Sequence, residues 1–117
     1  MNNPDKPQFK PRQIVCLDDL TACLYCEVIQ IIEVQQVCWA RPLLLASKDS
    51  QHPDPSPRDL RLSADLLCPV TWFRPALDTE AVPLLLELET SVQLDATTAR
   101  AELNAFVRSA WQERPKI

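Results

Sequence analysis

At 117 residues, 46% of them apolar and 24% charged, the chain has the size and composition of one folded domain with an ordinary core. Its net charge of −4 argues against nucleic-acid binding driven by bulk electrostatics, which needs a basic surplus. Glycine is absent, which excludes phosphate-cradling loops and dinucleotide fingerprints and leaves the turns to Pro, Asp, Asn, Ser and Gln.

Residues 1–12 are polar, with prolines at 4, 7 and 11, and read as an extended arm ahead of a single domain over 13–117. The first seven residues hold no apolar core of a secretory signal, and the apolar runs Leu43–Ala46 and Val82–Leu86 are too short to span a bilayer. The expected location is the cytoplasm. Five cysteines without an export signal are then expected to be reduced, buried thiols.

A first strand is predicted over about Gln13–Leu17, ended by the turn-like Asp18-Asp19. The second, about Leu24–Val34, alternates Tyr25, Glu27, Ile29, Ile31 and Glu33 with Leu24, Cys26, Val28, Gln30, Ile32 and Val34. Apolar residues dominate both sets, so cover on both faces is expected. Gln35-Gln36 is the predicted hairpin tip, and a third strand follows from Val37 to Ala46. Pro42 inside it predicts an edge position or a bulge, because proline cannot donate to the ladder.

Residues 47–57 form a polar, proline-rich loop, read as flexible, and Asp59–Ala64 reads as a short turn or helix. A fourth strand is predicted over Leu66–Phe73, with Leu66, Cys68, Val70 and Trp72 on one face. Strands thus occupy 13–75 and helices 78–117. A first helix is predicted near Thr79–Glu89, capped by Asp78, with Pro83 tolerated near its start. Asp95 is the predicted cap of a second, Ala96–Glu113, whose stripe of Leu103, Phe106, Val107, Ala110 and Trp111 has amphipathic spacing. Phe106 and Trp111 are expected to dock it. From Asp78 to Asp95 inclusive the chain holds five acidic residues and no basic one.

Three groups are candidates for chemistry. Cys23-Leu24-Tyr25-Cys26 is a C-x-x-C, but a zinc site normally needs a second such pair, and an odd separation on one strand sends the thiols to opposite faces. His52, the one histidine, sits in the proline-rich loop, where a general base has no fixed partner. Trp39-Ala40-Arg41-Pro42 and Trp72-Phe73-Arg74-Pro75 repeat one element, in which spacing by two puts ring and guanidinium on one strand face, able to stack. The alternatives are two core tryptophans with outward-reaching arginines, or a contact patch of Trp39, Arg41, Trp72, Arg74 and Tyr25.

The Leu24–Gln30 hairpin arm, Cys38–Leu44 and Trp72–Asp78 together resemble small uncharacterised cyanobacterial proteins, and the first part of the chain is similar to SH3-like barrels. The resemblance, over about Phe9–Asp78, implies an SH3-like fold and a non-enzymatic role; with the helices read above, the expected fold is α+β, a small antiparallel SH3-like barrel or half-barrel followed by one or two helices. It carries over no catalytic residue and no cofactor. The expected function is a protein-interaction module serving as an accessory or assembly subunit, with another protein as partner. The alternatives are a nucleic-acid-binding barrel, with Arg41, Arg74, Lys10 and Arg12 on phosphates, and a zinc or thiol-redox site at Cys23/Cys26.

Overall fold

The computed structural model describes residues 8–48, 51 and 56–114. Six strands form one antiparallel sheet: β1 (Ile14–Asp18), β2 (Ala22–Ile32), β3 (Val37–Ser47), β4 (Arg58–Asp59), β5 (Leu66–Pro69) and β6 (Phe73–Pro75). Two helices follow, α1 (Asp78–Thr90) and α2 (Ala96–Glu113). The sheet runs β4-β3-β2-β1-β6 with β5 also on β3, and it is open, not closed into a barrel.

The long hairpin of β2 and β3 is the frame, and its glycine-free tip makes Gln36 take φ 54°, a left-handed conformation that costs most residues about 1 kcal/mol. Two irregularities bend it. Tyr25 pairs with Leu44 but Cys26 with Pro42, so Leu43 is an extra residue, and its carbonyl accepts from Leu60 N–H at 2.9 Å. Pro42 therefore sits at a bulge, as its missing N–H requires, in a strand flanked on both edges. A second shift leaves Ile29 unpaired between Val28 and Gln30, which moves Ile31 onto the face of Leu24, Cys26 and Val28. The strict alternation read from the sequence fails at that point for this reason.

Where one strand was predicted over Leu66–Phe73, the chain makes two. β5 pairs with β3, a 3-10 turn at Val70–Trp72 follows Pro69, and β6 then pairs with β1. The short segment at Asp59 is the two-residue β4 and a turn.

Each face of the sheet carries a helix. On one, Val15, Leu17, Leu24, Cys26, Val28, Cys38, Ala40, Cys68 and Phe73 pack with Ala99, Leu103, Phe106 and Ala110 of α2, and Phe9 joins this core. The α2 helix begins as the sequence predicts, with Asp95 accepting from Thr98 N–H at 2.8 Å and from its hydroxyl at 3.0 Å. On the other face a smaller cluster joins Leu43 and Leu44 to Leu84 and Leu88 of α1, with Ile14 and Tyr25 alongside. The cap of α1 differs from the prediction. Leu77 is the cap residue and Asp78 begins the helix; Glu80 reaches back to accept from Leu77 N–H at 3.0 Å. Among the described residues no helix is long and apolar enough to cross a membrane.

Candidate functional site

The five residues picked out by sequence lie in three places. Trp39 and Arg41 share a strand face, as spacing by two dictates, and both turn to Asp65: Trp39 Nε1 donates to Oδ2 at 2.9 Å and Arg41 Nε lies 3.8 Å from Oδ1. Trp39 is half-buried and Arg41 exposed; Leu67, paired with Trp39 across β5, is 64% exposed. Alternation with Cys38 and Ala40 of the α2-side core places Trp39 and Arg41 on the α1 side of the sheet.

Trp72 belongs to the fastening of α2. Its ring lies 5.2 Å from that of Trp111, tilted by 51°, and the guanidinium above it comes from Arg114, 4.9 Å from the centroid. Arg114 also donates to the carbonyls of Asp18, Trp72 and Ala110. The 3-10 turn breaks the strand alternation that would have aligned Trp72 with Arg74.

Arg74 and Tyr25 meet beneath α1. Arg74 forks onto Glu80, with Nη1 2.9 Å from Oε1 and Nη2 3.0 Å from Oε2, while its Nε donates to Asp18 Oδ2 at 2.6 Å. Tyr25 OH donates to Glu80 Oε2 at 3.0 Å. The second Asp18 oxygen has Lys48 Nζ at 3.2 Å, an ion pair without hydrogen-bond alignment. Arg74 and the Leu77 N–H hold the Glu80 carboxyl down at about 2. Burial alone would raise Asp18, but Arg74, Cys23 and Lys48 keep it below its ordinary value. The same surroundings push the Tyr25 hydroxyl up, chiefly by burial, and strengthen the hold of Arg74 on its proton through Glu80 and Asp18. Each of these groups thus keeps its usual ionic form through neutral pH.

The cysteines divide between the faces. Cys26 lies in the α2-side core with Cys38 and Cys68, which pair directly across β3 and β5, while Cys23 lies on the other face near Cys16. The two members of the C-x-x-C thus point apart, as the odd spacing predicts. All five are buried and free. Cys16, burial and Asp18 push the Cys23 thiol up; burial does the same for Cys26, and raises Cys38 to about 11. Among the described residues no three His, Cys, Asp or Glu side chains are grouped to hold a metal ion. His52 lies outside the described residues.

Sequence reasoning missed the outer surface of α1. Leu84 and Leu88 face inward, yet Val82 is 59%, Leu85 50% and Leu86 61% exposed, on one side of the helix. Beside them a groove of about 330 Å³ runs between α1 and the sheet, lined by Tyr25, Leu44, Pro57, Pro83, Leu84 and Glu87 among others. The signal was present: five of the six residues Ala81–Leu86 are non-proline apolar, too many for one buried stripe. The chain matches no protein-family model, no curated protein and no solved structure.

Proposed function

We propose that this chain is a non-enzymatic protein-interaction module, an accessory or assembly subunit acting in the cytoplasm, built on an opened relative of the SH3-like barrel. The observation that carries the reading is the exposed side of α1. Three large apolar side chains in succession of turns, with Leu77 at its start also 62% exposed, form a surface of the kind that marks protein contact sites. Half-buried Trp39 with exposed Arg41 and Leu67 adds a second strip on the same side of the sheet, and Trp and Arg are residue types that dominate interface energetics.

Arg74 and Tyr25 support the module from beneath, by holding α1 in place, and Trp72 does so by holding α2. Arg74 has its donors on two carboxylates, which weighs against the phosphate role that nucleic-acid binding would give it. The test is capture from native lysate at two ionic strengths, with and without nuclease, beside a Trp39→Ala/Arg41→Ala control; Trp72 is left intact because its loss would loosen α2. A defined protein retained at high salt and after nuclease is the expected result. Nuclease-sensitive material that elutes steeply with salt would overturn the reading in favour of nucleic acid.

A further inference from the structure

The α1 surface has a chemistry that narrows the class of its occupant. On the helical wheel Val82 and Leu86 adjoin Pro83, and Pro83 adjoins Glu87, so the exposed apolar stripe continues around α1 into the groove against the sheet. The groove floor is apolar: Leu44, Pro57, Pro83 and Leu84. Of its polar groups, the Thr79 hydroxyl is exposed and can donate or accept; the others are acceptors or already engaged. Glu80 is held by Arg74, and Tyr25 gives its hydroxyl proton to Glu80. The Thr79 carbonyl faces a residue with no N–H to offer, since Pro83 stands where its helical donor would be. Glu87 stands exposed on the wall and forms no ion pair among the described residues; nor does Glu89.

From Asp78 to Asp95 the chain carries five acidic side chains and no basic one. A second copy of α1 laid on the first would set Asp78, Glu87 and Glu89 against their own kind, so self-association through this face is disfavoured. A segment with apolar residues at helical spacing and Lys or Arg beside them is complementary on both counts. We propose that the exposed side of α1 and its adjoining groove dock a basic amphipathic segment of a partner protein. The apolar side chains of that segment cover Val82, Leu85 and Leu86; one Lys or Arg lays its aliphatic stem across Leu44, Pro83 and Leu84 and brings its cation to Glu87. This rests on the interaction reading above and adds the place and the ligand chemistry.

The experiment places a photo-crosslinking p-benzoylphenylalanine at Leu86 in one preparation and at Leu67, on the Trp39 strip, in another, and maps the crosslinked peptide. The expected result is crosslinking from position 86 into a segment with apolar residues three or four apart and at least two Lys or Arg. That segment, synthesised, binds the native chain at least tenfold more tightly than Glu87→Gln, and its Glu-for-Lys counterpart does not bind. Crosslinks only from position 67, a crosslink from 86 into a second copy of this chain or into an acidic segment, or equal affinity for Glu87→Gln each overturn the proposal while leaving an interaction module. No crosslink from either position overturns both.

Discussion

Glu80 draws donors from three parts of the chain: the Arg74 fork from β6, the Tyr25 hydroxyl from β2, and the Leu77 N–H from its own helix start. A carboxyl held at about 2 when folded, against 4.5 free, binds its proton more weakly in the folded chain. Its contribution to stability is therefore complete above about pH 4.5 and is lost as pH falls toward 2. Asp18 and Asp59 are lowered too, so they act in the same direction. The urea midpoint should fall steeply below pH 5. Glu80→Gln should flatten that fall and cost on the order of 1–2 kcal/mol at pH 7, a figure reduced for the solvent reaching Arg74. An unchanged acid slope in Glu80→Gln would show that Arg74 does not hold this carboxylate. None of these partnerships is visible in sequence. Arg74 and Glu80 are six residues apart, but Asp18 and Tyr25 reach them only because β1 lies between β2 and β6.

At the scale of elements, legibility followed local signals. The α2 helix could be read because its cap and its apolar stripe agree, and the face-to-face separation of Cys23 and Cys26 because strand alternation is local. The break of Leu66–Phe73 into two strands could not, because the change from pairing with β3 to pairing with β1 depends on where the two sheet edges lie. The α1 helix stands between these cases: its existence is legible in sequence, but which of its two apolar sides packs on the sheet depends on Leu43 and Leu44 across the fold. Pro83 lies in its sixth position, inside the helix, where proline removes a hydrogen bond and crowds the carbonyl four residues back. Pro83→Ala should stabilise the fold by about 1–3 kcal/mol in urea unfolding, because the Thr79 carbonyl regains a donor. If α1 docks a partner as proposed, the same change is expected to weaken that binding, since Pro83 lines the groove. A destabilised Pro83→Ala would mean that its contacts in the groove outweigh the missing bond.

Across the whole molecule the two faces of the sheet are finished differently. On the α2 side the helix is tied along its first half by Arg58 to Glu102 at 2.8 Å and at its end by Arg114 and Trp111 onto Trp72, with Leu20 N–H donating to Glu113. On the α1 side the helix is anchored at its start by Glu80–Arg74. Its end is held by buried Asp59, whose carboxyl Arg61 holds below its ordinary value: Asp59 Oδ2 accepts from the Ser91 hydroxyl at 3.0 Å, and Arg61 donates to the Leu88 carbonyl at 3.2 Å. That helix is thus firmly seated yet leaves its outer side exposed, as the presenting surface proposed above would require. Leu85 and Leu86 are half exposed or more, so replacing both by Ser should change the fold's stability little. The most direct measurement is the affinity of the captured partner for native chain and for Leu85→Ser/Leu86→Ser. At least tenfold weaker binding with an unchanged circular dichroism spectrum is the predicted result; equal affinity would contradict a docking surface on α1.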